Sequence, residues 1–313
     1  MKTLITIISI LFFINISFCQ PPKVKEYNDR YSKGLNKSDS GDYYTALQYF
    51  RKAENVLWEM LAEYPEEKKD SIQKNFLPFG TVNQRMMDCF IGLSLDDSVR
   101  YYFNRIVEMG IFKKRRLLYK CEYYKYLVND ARYNAWYEKL KDAFIENSRK
   151  INDTIIRQVY DIFFYDQYFR VLTDCNYFDS LELDSLKKLW IKTDSLNQLK
   201  IIQIIETHGY PGKSMVGSNL KDAGFFVIQH APLEIQKKYF NLLYEAAAKQ
   251  EFQPDLMKML IDRILVREDK KQLFGTQSRK NDEGEYEKAP VETDPEKIKQ
   301  LLEETFGISE LAF

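Results

Sequence analysis

The stretch DSLNQLKIIQIIETHGYPG, residues 194–212, decides the fold class. Asp194 and Asn197 stand where a helix opens. Leu196, Leu199, Ile202 and Ile205 recur at three- and four-residue steps, which places them on one helical face. The run ends at His208-Gly209, glycine being the residue that accepts the left-handed position after a helix. Tyr210-Pro211-Gly212 then turns the chain. The same grammar repeats downstream. A helix is expected from about Ser218 through Phe225, Phe226 and Ile228 to His230, where Pro232 stops it. Pro232 and Pro254 each open a further helix, over residues 232–250 and 254–266. After Glu268 the texture changes to strand: residues 272–278 and 285–288, joined by a polar turn at 281–284, read as a short hairpin. Asp294-Pro295 caps a last helix that ends at Gly307. The expected fold is mainly α, with a small β-hairpin near the C-terminus.

Residues 25–60 read as a helical hairpin. Gly34, Gly41, Ala46, Phe50 and Ala53 carry small residues where two helices approach and a ring that fills the groove between them. Those positions resemble one tetratricopeptide repeat, although Trp58 stands where the repeat has a helix-ending proline. Leu95-Asp96-Asp97-Ser98 opens another helix, with Val99, Tyr102, Phe103 and Ile106 on one face. Residues 123–140 resemble the degenerate last unit of such an array. One repeat cannot bury its own face, so neighbouring helices must cap it. The resemblance implies a concave surface for a protein or peptide partner. The basic run at 113–116 has acidic residues close by and reads as a solvated helix start or turn.

The chain opens with Lys2 and an apolar run over residues 4–18, too short for the roughly 20 residues of a bilayer-spanning helix. Ser17 and Cys19 sit at the −3 and −1 positions of a cut before Gln20. Residues 1–19 therefore read as a signal peptide. The alternative is a lipoprotein anchored at Cys19, although Phe18 then stands where a small residue is expected. No later segment is apolar enough to span a membrane. Basic and acidic residues balance at 46 each, which argues against nucleic acid as a partner. Cys89, Cys121 and Cys175 lack CxxC spacing, so neither a disulfide-dense scaffold nor a zinc ribbon is expected. A chain of this length suggests two modules, with residues 20–150 tetratricopeptide-like and 151–313 a second helical domain.

The chain holds 2 histidines, and both fall at apparent helix ends in polar surroundings. Histidine changes charge nearest neutral pH and is the commonest metal ligand. His208, His230 and Asp262 are therefore the candidate catalytic residues. Arg263, Gln229, Gln272, Thr276, Gln277, Asp166 and Arg170 are candidate binding residues. Asp262 is expected to orient a histidine, and Arg263 to hold a carboxylate or phosphate, or to anchor a Glu or backbone group. His208, His230, Asp262 and Gln277 are expected in one connected cluster. The bland alternative is that each histidine bonds the carbonyls of its own helix end. No metal or other cofactor is assigned, because the ligand types are suitable but their spacing is not that of a metal site. Gly212-Lys213-Ser214 lacks the upstream glycine of a phosphate-binding loop, and Ser214 lacks a nucleophile elbow.

His208-Gly209-x-Pro211, Gly217, Gln229-His230-Ala231, Asp262-Arg263 and Gln272-x-x-Gly275-Thr276-Gln277 resemble the bacterial family known as domain of unknown function 6624. Asp166-Gln167-x-x-Arg170 and Asp194-x-x-Asn197 fit the same pattern, and the likeness spans about residues 155–310. It implies a shared fold and shared polar positions, and supplies no substrate. Phe274 stands where that family has a tyrosine. Two function classes follow: a binding or structural protein with a partner-binding helical module, and an exported hydrolase, metal-dependent or not, using His208, His230 and Asp262. Intact mass of the protein recovered from an exporting host should show a chain beginning at Gln20. A lipid-modified Cys19 would overturn the cleavage site and leave export intact.

Overall fold

The computed structural model describes residues 22–75, 77–147, 153–176, 178–281 and 284–311. The expected signal segment lies outside them. The chain is mainly helical with one two-stranded hairpin, and it divides into two compact units, Met1–Phe144 and Ile145–Phe313.

In the first unit, α1 (Pro22–Asp39) and α2 (Tyr43–Ala62) form a hairpin. Asp42 caps α2 by accepting from the Thr45 amide, which satisfies one of the free N–H groups at a helix start. The approach of α1 to α2 depends on Gly34: a Cβ there would lie 2.6 Å from Cε1 of the buried Phe50 ring. After α3 (Glu66–Asn75), α4 (Leu77–Gly92) packs on α2, and α5 (Asp96–Glu108) packs on α4. A polar tie joins these three. The Glu54 carboxylate of α2 pairs with Arg105 of α5 at 2.9 Å and accepts from the Asn83 amide of α4 at 3.3 Å. Glu54 is almost fully buried, so its charge is held only because both partners reach it.

The face expected on α5, Val99, Tyr102, Phe103 and Ile106, is the buried one. A 3-10 segment (Phe112–Leu118), α6 (Cys121–Leu127) and α7 (Tyr133–Asn147) follow. The 3-10 segment corrects the reading of the basic run as solvated. Arg115 is buried with its guanidinium 5.4 Å over the Phe144 ring, and Lys114 reaches Gln84 Oε1 at 2.8 Å. Long basic side chains bury their stems and use ring faces, which a count of charges does not reveal.

In the second unit, α8 (Asp153–Thr173) and α9 (Ser180–His208) pack side by side. Asp179 starts α9 with a capping box through Glu182, well before the start expected at Asp194. The buried face of α9 is Asn197, Ile201, Ile204 and Ile205. Leu196 and Leu199, expected on the core face, are exposed. The helix carries two apolar stripes, and periodicity does not rank them. A short α10 (Lys213–Val216) precedes α11 (Ala223–His230), which begins later than expected.

Helix α11 is the centre of this unit. Ala223, Gly224, Phe225, Val227, Ile228 and Gln229 are all buried, as expected of a helix that is apolar all round. Tyr210 holds its first turn, donating to the Lys221 carbonyl and accepting from the Phe225 amide. The Phe225 ring stacks on Phe252. Helices α12 (Leu233–Ala248) and α13 (Leu256–Arg267) cover α11, with Pro232 leading into α12. The strands are β1 (Ser278–Lys280) and β2 (Tyr286–Lys288), antiparallel with Arg279 opposite Glu287. The first strand therefore starts where its expected range ends. Asp294 and Gly307 bound α14 (Pro295–Phe306), as the sequence indicates.

Replacing Gly34 with alanine tests the first hairpin. Alanine gains about 1 kcal/mol in helix propensity, whereas overpacking a tight core contact costs about 1–3 kcal/mol. The expected net result in urea unfolding is a loss of stability, partly recovered when Phe50→Leu is added. A gain from Gly34→Ala alone would show that the close approach is not a constraint.

Candidate functional site

The carboxyl end of α11 is buried, and a helix end leaves carbonyls without partners inside the helix. Side chains meet them. Arg263 of α13 donates from Nη1 to the Gln229 carbonyl at 3.1 Å. The Gln236 amide of α12 donates to the same carbonyl at 2.6 Å. Arg267, one turn beyond Arg263, donates to the Ala231 carbonyl at 2.7 Å. His230 lies between those two carbonyls in the chain, with its ring partly open to solvent.

The Nδ1 edge of His230 meets α8. Arg170 Nη2 lies 2.5 Å from Nδ1, and Asp166 Oδ1 lies 3.3 Å from it. Arg170 also pairs with Asp166 and with Asp194 of α9, each at 3.1 Å, and its guanidinium sits 4.9 Å over the Trp190 ring. Trp190 Nε1–H donates to Asp194 Oδ2 at 2.9 Å, and the Gln167 amide donates to Asp166 at 2.9 Å. A guanidinium has N–H groups and no lone pair to offer. Arg170 at 2.5 Å therefore suits a ring whose Nδ1 accepts, whereas the Asp166 carboxylate at 3.3 Å suits one whose Nδ1 carries the proton, so the two neighbours favour opposite tautomers. Burial acts to raise the Asp166 carboxyl, but the His230 contact and the Arg170 charge outweigh it and hold it below its ordinary 3.8.

Asp262 occupies a different environment. It is fully buried on α13, and its carboxylate accepts from the amides of Leu273, Phe274 and Thr276 and from the Thr276 hydroxyl, at 2.7–3.2 Å. Residues 272–277 form a loop wound round this carboxylate instead of a strand, because those amides are already spent. Gln272 closes the loop by donating to the Gln277 and Ala289 carbonyls and accepting from the Gln277 amide. Gln277 Oε1 accepts from Arg263 Nε at 3.1 Å, and the Gln277 amide group donates to the Thr276 hydroxyl at 3.1 Å. A chain of bonds thus runs from Asp262 through Thr276, Gln277 and Arg263 to the Gln229 carbonyl beside His230.

Of the four residues expected in one cluster, His230 lies at the end of α11, and Asp262 and Gln277 are linked to the Gln229 carbonyl there through Arg263, which was expected to point away from them; the candidate binding residues Asp166, Arg170 and Gln229 also meet at this end. His208 is not among them. It is exposed at the last residue of α9, while Asp194 of the same helix touches Arg170. The step of 14 positions from Asp194 to His208 on α9 spans about 21 Å at 1.5 Å per residue. Asp166, not Asp262, is the carboxylate beside a histidine. Among the described residues no group of three His, Cys, Asp or Glu is placed to hold a metal ion.

Trp190, Gln236 and Arg267 belong to the cluster and carried no sequence signal as singled-out positions. Trp190 and Arg267 were within reach of the i, i+4 rule, being one turn from Asp194 and Arg263. A polar cavity of about 330 Å³ opens elsewhere, between the end of α13 and the hairpin, lined by Lys270, Arg279 and Glu287 among others. Lys270 and Arg279 already pair with Glu268 and Glu287, so this cavity has fewer uncommitted donors than the α11 end.

Asp262→Ala is expected to destabilise the second unit by about 3 kcal/mol, since three amides packed round a fully buried carboxylate lose their acceptor at about 1 kcal/mol or more each. Asp262→Asn, which keeps one oxygen, should fall between. Chemical unfolding checks both, and a change of under about 1 kcal/mol for the alanine variant would deny Asp262 its organising role. Compared with protein-family models, curated proteins and solved structures, the chain finds no match.

Proposed function

We propose that the protein is an exported, two-module binding protein. Its tetratricopeptide-like first unit engages a protein or peptide partner. Its second unit, of the kind resembling domain of unknown function 6624, binds a small anionic ligand at the carboxyl end of α11. The packed helical hairpin around Gly34 and Phe50 supports the first part. Exposed Tyr44 and Tyr101 offer that unit aromatic contact surface.

The second part rests on one observation. Arg170 Nη2 is the nearer neighbour of His230 Nδ1, at 2.5 Å against 3.3 Å for Asp166, which favours the tautomer whose Nδ1 accepts and whose outward nitrogen presents N–H. Such a ring donates to a ligand oxygen. A general base needs the opposite arrangement, with the outward nitrogen free to take a proton. Asp262 is committed to backbone amides and has no capacity left for chemistry. Binding is therefore favoured over hydrolysis by His208, His230 and Asp262.

Nitrogen-15 NMR of the imidazoles tests this reading directly, because the chain has 2 histidines to assign. In the full chain above pH 7.5, His230 should show a protonated Nε2 and an unprotonated Nδ1. The Nδ1–H form would reverse the preference and turn His230 into an Asp166-oriented base.

A further inference from the structure

We infer that Arg263 and Arg267, flanking His230, recognise a phosphoryl dianion. The inference rests on the ligand-binding reading above and names the ligand class. The two guanidiniums leave the same helix one turn apart, and each is fixed to a carbonyl neighbouring His230: Gln229 at 3.1 Å and Ala231 at 2.7 Å. Both guanidiniums therefore lie beside the peptide groups that flank His230 in the chain. Each guanidinium has five N–H donors. Arg263 spends Nε and one Nη1 donor, and Arg267 spends one Nη1 donor. The remaining donors have no partner among the described residues.

Donor number selects the ligand. Arg170 pairs with two carboxylates, Asp166 and Asp194, one more than its own charge needs. Arg263 and Arg267 pair with no carboxylate among the described residues: Asp262 faces the amides of the 272–277 loop, and Glu268 pairs with Lys237 and Lys270. Burial, together with the charges of Arg267 and Arg170, pushes the Arg263 guanidinium down to about 10. Two guanidiniums with spare N–H groups and no carboxylate partner suit an anion that offers several acceptor oxygens. A phosphate monoester carries about −1.5 to −2 near pH 7 and three acceptor oxygens, enough for two guanidiniums and the imidazole. A single carboxylate supplies one charge and two oxygens, which one guanidinium fork satisfies. The Gln229 side chain is almost fully buried, and its Nε2 has no partner among the described residues.

Calorimetric titration of the full chain at pH 7.5 with inorganic phosphate, with phenyl phosphate and with acetate, all at one ionic strength, tests this. Both phosphates should bind at least about tenfold more tightly than acetate. Arg267→Gln should weaken phosphate by about tenfold or more, the size of one lost charge-assisted pair. Should Arg267→Gln not fold, Arg267→Lys keeps the charge and loses the fork, and a smaller loss is expected. Phosphate affinity unchanged in either folded variant overturns the inference. So does acetate binding as tightly as phosphate while shifting the His230 ring signals, an outcome that keeps the ligand site and replaces its ligand. If no anion binds and none shifts those signals, this inference and the ligand-binding reading fall together.

Discussion

A helix that ends inside a protein must find partners for its last carbonyls, and α11 ends inside this one. Its eight residues are almost all buried, so water cannot serve the Gln229 and Ala231 carbonyls as it does at a surface helix end. An unpaired buried carbonyl costs about 1–3 kcal/mol, and two would consume a sizeable part of a domain's net stability. Arg263, Arg267 and Gln236 meet that need from the two helices that cover α11. The two guanidiniums also suit the negative end of the helix dipole. The placement of α12 and α13, the position of His230 and the gathering of positive charge beside it all follow from this one requirement.

Asp262 performs the corresponding service for the loop that follows α13. A carboxylate that accepts from three backbone amides and a hydroxyl can be fully buried without a cation, because those N–H groups supply the stabilisation otherwise lost with water. The loop in turn sets Gln277 against Arg263. Adjacent residues on α13 thus point in different directions, as their angle of about 100° on a helix requires, and are linked only through Thr276 and Gln277. One organises the loop and the other faces the end of α11.

The helical class of the chain was legible because it depends on local signals: Gly209 and Gly307 after helix ends, Pro232 and Pro295 at starts, Asp294 as a cap. The site was legible in part, and its gaps have physical causes. Histidine scarcity and the position of Gln229-His230 before Pro232 pointed to the end of α11. Nothing local distinguishes His208 from His230, since both end helices, and only the packing decides that one end is buried and the other is wet. Which carboxylate reaches the ring was equally hidden: Asp166 lies 64 positions away in sequence, and the pairing depends on how α8 crosses α11. The 272–277 segment misled for a sharper reason. Its residue types suit a strand, but a buried acceptor on α13 competes for the same amides and wins. The outward Leu196 and Leu199 show a further limit, because α9 satisfies two apolar periodicities and burial chooses between them.

Structural and ligand-binding duties do not exclude one another at Arg263 and Arg267, because a guanidinium has more donors than a helix end needs. One or two bonds fix where each group lies and leave its other N–H groups uncommitted. A cation so fixed pays little entropy to meet a ligand, which is the advantage of a site built on rigid elements over one built on mobile side chains. The same arrangement keeps the Arg263 guanidinium under repulsion from Arg267 and Arg170, a cost that the fold carries continuously. An anion that binds only the folded chain relieves it, and by mass action adds about 2.7 kcal/mol of stability at a hundred times its dissociation constant. The repulsion that weakens the end of α11 is therefore also what would make that end responsive to a ligand.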